Sequence, residues 1–489
     1  MTKTNSKKAL LSSAFALVLS VAMLIGTTFA WFTDTASTGV NKIVSGNLKV
    51  DIIGADSDSH IEKLNFTKAA TTDAEAGAEI LWEPGCRYLT EGFRIANKGN
   101  LALKWKAQVN TGTTAANEGN FDLLDVIDFY LVTKAADGTE TETALDEFTG
   151  NLKKTETSDV YYIKGVMQTT AGNDYQGLTL DGISITVVAT QDTVESDSFD
   201  NQYDKDAEYP ILVTTGDELQ AIVSNATAPV NIVLTNSITT NNFVIPEDKD
   251  VTLDLNGRTV TNAGSHTILN KGHLTLTDSS ADKSGQIISL KGNTAALRNG
   301  DNAVCVVEGG TISRDGANGN TWHVVENFGK MTFNGGKVVL KNGNGFAITN
   351  GWNYFDPGAS TTHAVMEINA LELDTDSSGI KNCRYGDLTV NDVTVTSTGY
   401  WALSNDYLGT AVINGGTLTS NSFKAVSNGA AMTVNGGTFD GTQGFFVQSY
   451  ATSTVLNGGT FANMNVDALS SYVGTGHTAQ QSGTSVIIK

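Results

Sequence analysis

Three cysteines, at 86, 305 and 383, serve a chain of 489 residues. They are too few and too scattered to frame a disulfide scaffold or a zinc cluster, and all three are expected to be buried thiols. Basic charge is also scarce, with 31 Lys and Arg against 52 Asp and Glu and a net charge of −21. Such a surface repels nucleic acid and anionic lipid, so neither is expected as a partner. Proline is rare, 5 residues beside 50 glycines, and with abundant Thr, Asn and Val this favours strands and tight turns over helices. Long hydrophobic runs are missing after residue 33, so no later segment is expected to span a membrane.

The one hydrophobic run lies at the start. Lys3, Lys7 and Lys8 precede a stretch without charge from Ala9 to Thr33, the layout of a signal peptide. Small side chains at Thr28 and Ala30 suit the minus-three and minus-one positions, which places cleavage between Ala30 and Trp31. The alternative is an uncleaved helical anchor of about 20 apolar residues. Cleavage would leave 28 basic and 52 acidic residues, a net charge of −24.

Residues 31–194 read as one all-β part. Leu101, Leu103, Trp105, Ala107 and Val109 alternate with polar residues, as do Leu48, Val50 and Ile52, then Phe93 and Ile95, and Ile183, Ile185, Val187 and Ala189. Several half-buried strands separated by turns predict a sandwich or jelly roll. The NKGN stretch at 97–100 is expected to close a hairpin, and 111–160 to hold a helix or long loops. Residues 195–209, ESDSFDNQYDKDAEY, are polar, acidic and without periodicity, and read as a linker.

The segments TFAWFTDT after the apolar run, SGNLKV at 45–50, EPG at 83–85, FRIANKGNLALKWKAQV at 93–109 and YQGLTLDGISITVVATQ at 175–191 together resemble the TasA/camelysin family. The resemblance implies export with processing by a SipW-type signal peptidase in a Gram-positive bacterium, a jelly-roll domain, and subunits that polymerise into extracellular biofilm fibres. It also implies that the freed N-terminal segment, here Trp31, Phe32 and onward to Val40, adds a strand to a neighbouring subunit. The alternative is that Trp31 to Val40 pairs within its own domain or frays. Camelysin has been described as a metallopeptidase, but none of the six histidines, 60, 266, 273, 323, 363 and 477, forms an H-E-x-x-H pair. Peptidase activity is not expected.

From residue 210 a short apolar run followed by a polar turn recurs. The turn residues Asn236, Asn256, Asp278, Glu308, Asn334, Asn369, Asn391, Asn414, Asn435 and Asn457 are spaced by 20, 22, 30, 26, 35, 22, 23, 21 and 22. A period near 22 with short strands predicts a parallel β-helix of about ten coils over 210–489. The segment is similar to pectate-lyase-like right-handed β-helices, and LDLNGRTV at 253–260 resembles the opening rungs of bacterial surface β-helix proteins. Asp217 is expected to cap a short helix from Glu218 to Ser224 that covers the first rung.

Enzymes on this scaffold need clustered acids. Asp374, Asp376, Asp387, Asp392 and Asp406 are the candidates, and are read as solvated turn residues; DTDSSG at 374–379 begins like a calcium loop but has Tyr385 at its twelfth position. No residue is assigned a catalytic, cofactor or metal role. Aromatic residues are more distinctive. Trp322, Trp352, Tyr354 and Trp401 are candidate glycan contacts, with Phe355, Tyr400 and Tyr407 near them. Phe346, Trp401 and Phe446 recur at comparable places in GFAITN, YWALSN and FFVQSY, which suggests that part of the set is an internal ladder.

The expected protein is a secreted, cell-surface or biofilm-matrix subunit, self-assembling through its N-terminal strand and displaying an adhesin-like β-helix. The alternative is a β-helix that binds or degrades polysaccharide. The C-terminal SVIIK carries no sorting motif or hydrophobic tail, so covalent wall attachment is not expected.

Overall fold

A computed structural model describes residues 47–61, 64–67, 80–110, 113–114, 121–145, 148–181, 183–192, 208–319, 322–352 and 362–489. The proposed cleavage site Ala30/Trp31, the candidate donor strand through Phe32 and Val40, most of the linker, and Tyr354 and Phe355 lie outside them. Among the described residues no helix is long and apolar enough to cross a membrane.

The first part is built from antiparallel strands in two main sheets. One orders Val50–Gly54, Phe93–Asn97, Tyr161–Met167, Arg87–Thr90 and Phe66–Thr67, with Ile127–Lys134 and Glu140–Ala144 branching from Tyr161–Met167. The other orders Ser184–Gln191, Leu103–Asn110 and Phe148–Leu152. Leu103, Trp105, Ala107 and Val109 are buried as their alternation predicts, packing with Phe93, Ile95 and Ile163 of the facing sheet.

Two expectations for this part are corrected. NKGN does not close a hairpin, because Phe93–Asn97 and Leu103–Asn110 belong to different sheets. The chain turns a corner there, held by the buried Asn97 amide, which donates to the Leu101 carbonyl at 2.7 Å and the Lys153 carbonyl at 3.1 Å. Among the described residues of 111–160 half lie in strands, with one short 3-10 turn at Leu123–Asp125. Ile127, Leu131 and Val132 are buried, and that burial favours the extended chain.

The second part is a β-solenoid of about ten turns from 211 to 461. Its first face stacks eleven parallel strands from Ile211–Val213 to Ser453–Leu456, and its third face nine from Val244–Ile245 to Phe445–Val447. The second face runs in parallel from Ile238–Thr239 to Gly459–Ala462 and ends in the antiparallel hairpin Ala479–Ser482 and Ser485–Ile488. Like side chains stack in register: Ile268, Leu297, Val325, Ile348, Ile380 and Leu403 form one buried column of the third face. Cys305 lies in the first-face core and Cys383 just after a third-face strand, and burial pushes both thiols up to about 12. Cys86 is only half-buried, not buried as expected.

The opening helix is Gly216–Asn225. Its cap is Thr215 rather than Asp217: the Thr215 hydroxyl accepts from the Glu218 N–H at 3.2 Å, and the Glu218 carboxylate accepts from the Thr214 N–H at 2.9 Å. This reciprocal pattern satisfies free N–H groups that Asp217, already inside the first turn, would leave unpaired. The two parts meet at Ser184–Gln191, whose Val188 packs with Tyr209, Leu212 and Val233.

Two asparagine ladders run along the solenoid. Six of the ten predicted turn residues form the exposed one, in which each amide donates to the one before it: Asn369 to Asn334, Asn391 to Asn369, Asn414 to Asn391, Asn435 to Asn414 and Asn457 to Asn435, at 2.7–2.9 Å. In their Asn-Gly-Gly corners the second glycine takes a positive φ, 93° at Gly416 and 105° at Gly437, which L side chains rarely adopt.

The other ladder is buried at the corner between the third and first faces. Asn270, Asn299, Asn327, Asn350, Asn382, Asn405 and Asn428 are all closed to solvent, each donating to the next at 2.7–2.9 Å. Asn382 also donates to the Gly386 and Thr410 carbonyls at 2.9 and 3.0 Å, which ties two successive corners together. Replacing one member strands buried partners on both sides, at about 1–3 kcal/mol each. Asn382→Ala is therefore expected to lower the urea midpoint strongly, by roughly 3 kcal/mol of stability, and exposed Asn414→Ala by less than about 1 kcal/mol, as followed by tryptophan fluorescence.

Candidate functional site

The third face carries the most distinctive surface. Its inward residues are the hydrophobic column and the buried asparagines, so the residue between them must point outward. Down the stack these are Leu269, Arg298, Glu326, Thr349, Lys381, Ser404, Ser427 and Phe446. Side chains just before and just after the strands wall this row, and Glu326, Thr349, Ser404 and Ser427 are buried although they point outward.

The wall before the strands is aromatic. Trp322 donates its indole N–H to Glu326 at 3.0 Å, and Trp401 stacks on Phe346 at 6.1 Å and meets Phe423 edge-on at 5.5 Å. On the far wall Trp352 lies 4.5 Å from the Phe328 ring, over which the Arg298 guanidinium sits at 4.5 Å. Thus Trp322, Trp352 and Trp401 all flank one face, and all are half-buried. The four exposed large aromatic side chains among the described residues, Tyr400, Tyr407, Phe446 and Tyr450, lie around the same face toward its C-terminal end. Phe346 and Trp401 belong to this outer wall, not to an internal ladder. The internal aromatic cluster is Phe439, Phe445 and Phe461.

Charge on this face is unevenly paired. Arg298 bonds Glu326 at 3.0 Å and Lys381 bonds Asp406 at 3.0 Å. Arg384 lies over the Tyr385 ring and donates to its hydroxyl at 3.0 Å, while the Lys424 ammonium sits 3.6 Å from the centre of the Phe446 ring. Neither has a carboxylate partner among the described residues. Burial holds the Lys424 ammonium below the usual lysine range.

The five candidate acids do not assemble. Asp374 pairs with Lys337 on the second face at 2.8 Å, Asp376 accepts from the Asn342 N–H in a turn, and Asp387 bonds His363 from the first face at 2.9 Å. Asp392 follows the Asn391 corner, and Asp406 pairs with Lys381. On the third face Glu326 and Asp406 are three rungs apart, about 14 Å. That exceeds the roughly 5–10 Å used by paired glycosidase carboxylates.

Comparison with models of known protein families, with curated proteins and with solved structures finds no match for this chain.

His266 and His323 border the same face, and each accepts a backbone N–H at Nδ1, from Ala295 at 2.8 Å and from Phe346 at 3.1 Å. Burial lowers the pKa of both. Below the unfolded histidine pKa of about 6.5 the unfolded chain then binds protons that the folded one refuses, so stability present at neutral pH is lost on acidification. Urea midpoints measured from pH 7.5 to 5 are expected to fall less steeply for His266→Gln/His323→Gln than for the native chain.

Proposed function

We propose that this is an extracellular cell-surface or biofilm-matrix protein whose β-solenoid binds polysaccharide along its third face. The observation that carries the reading is the gathering of Tyr400, Tyr407, Phe446 and Tyr450 beside a polar row on one face. Aromatic platforms next to hydrogen-bonding groups suit sugar rings, which present apolar faces and polar edges. The regular strand stack favours an extended polymer over a single sugar, because equivalent positions repeat about every 4.8 Å along the axis.

Under this reading the two-sheet part is a jelly roll that serves export and assembly, and the solenoid is right-handed, as the family and fold resemblances imply. A second observation favours assembly. Among the described residues Phe148–Leu152 pairs with only one neighbouring strand, and an open cavity of about 250 Å³ beside it is lined by Trp105, Gly150, Asn151, Glu156, Asp159 and Tyr161. An unpaired strand edge beside an aromatic-lined cavity suits strand addition by another chain.

Affinity electrophoresis against a panel of soluble polysaccharides tests the first reading. At least one polymer should retard the protein, and Tyr400→Ala/Tyr407→Ala should weaken that binding about tenfold with an unchanged unfolding midpoint. No retardation by any polymer would contradict it. For assembly, the chain beginning at Trp31 should sediment as large polymers and the chain beginning at Ser45 as monomer; monomers in both cases would contradict it.

A further inference from the structure

We infer that the third face recognises an acidic polysaccharide lying along the solenoid axis, with its anionic groups met by Arg384 and Lys424. The inference rests on the polysaccharide-binding reading above and specifies its ligand class.

Charge is the first ground. The chain carries a net charge of −21, yet among the described residues this strip holds four cations, Arg298, Lys381, Arg384 and Lys424, against three carboxylates, Glu326, Asp406 and Asp301, the last in the rung of Arg298 and three rungs from Arg384. Glu326 and Asp406 are taken up by Arg298 and Lys381, which leaves Arg384 and Lys424 at the C-terminal end of the strip, away from Asp301. The nearby Asp387 bonds His363 and belongs to the first face. The locally positive strip is thus set in an acidic surface. At physiological ionic strength charges separated by more than about 8 Å are largely screened, so the strip acts on a bound polymer more strongly than the distant acids do.

Unfilled donors are the second ground. Six buried side-chain polar atoms have no hydrogen-bond partner among the described residues, and three of them, Trp352 Nε1, Arg384 Nε and Trp401 Nε1, flank this face. All three are donors. Carboxylates and sulfates offer only acceptors, so they complement this imbalance better than neutral sugar hydroxyls do. These atoms are closed to solvent in the free protein, so a ligand reaches them only if the indole and guanidinium groups rotate.

Spacing is the third ground. Arg384 follows the strand Ser378–Asn382 and Lys424 precedes Val426–Asn428, two rungs further along. They stand on opposite walls, about 10 Å apart along the axis, with Tyr400 and Tyr407 in the rung between. A chain threading this span would stack a ring on the tyrosines and present anionic groups about two sugar units apart to the two cations.

The test uses the full chain at 0.15 M salt with hyaluronan, which carries a carboxylate on alternate sugars, and with its carboxyl-reduced form. Chondroitin sulfate, which adds sulfate, and neutral dextran complete the set. Hyaluronan or chondroitin sulfate should bind at least about tenfold tighter than the reduced polymer and dextran. Preference between the first two separates carboxylate from sulfate recognition. Arg384→Gln and Lys424→Met should each cost about tenfold for the acidic polymer and leave neutral binding unchanged; the methionine keeps the contact with Phe446, so folding is retained. Tryptophan fluorescence should shift on binding. Equal affinity for acidic and neutral polymers would overturn the inference while leaving polysaccharide binding standing. Binding to none of the four, together with none in the wider panel, would overturn both.

Discussion

The buried amide ladder from Asn270 to Asn428 is the interaction on which the solenoid depends. A tight corner leaves backbone groups that no strand can pair, and burial makes unpaired groups costly. Each asparagine from 270 to 405 donates to the next amide and to a backbone carbonyl of the following corner, and Asn299, Asn327, Asn350 and Asn382 donate to a carbonyl of their own corner as well. The requirement is strict in register, because a rung slipped by one residue would turn its asparagine outward and its neighbour inward.

That registration gives the third face its chemistry. With an asparagine fixed inward at the end of each strand, the preceding residue is fixed outward, and Arg298, Glu326, Thr349, Lys381, Ser404 and Ser427 fall into one line. The walls follow from the same rule: Phe346 and Trp401 occupy equivalent places in their rungs and stack. The second face displays a row of Thr instead, such as Thr394, Thr417 and Thr438. Scaffold stability and a candidate binding surface therefore share one cause.

Much of the solenoid was legible because its outer corners require particular residues. Asn-Gly-Gly recurs where a positive φ and close backbone approach leave few alternatives, so the period and coil number could be read directly. The buried ladder was also written in the sequence, as ILN, LRN, VEN, ITN, IKN, LSN and VSN, but a lone asparagine two residues after an apolar one reads as an ordinary turn until the coils stack and bury it. The same gap explains Phe346 and Trp401, whose outward placement depends on that register. In the first part, the strand Leu103–Asn110 was legible from strict alternation, whereas the corner at Asn97 was not, since the choice between hairpin and sheet-to-sheet crossing rests on contacts with Leu152 and Lys153 more than fifty residues away.

Hydrogen–deuterium exchange of the full chain, with and without saturating acidic polysaccharide, tests the central claim that the third face is the binding surface. Protection is predicted in peptides spanning 400–407, 423–428 and 445–450, with none added at the second-face strands Thr394–Ser397 and Thr417–Ser420. Protection confined to the first or second face, or to the two-sheet part, would contradict it.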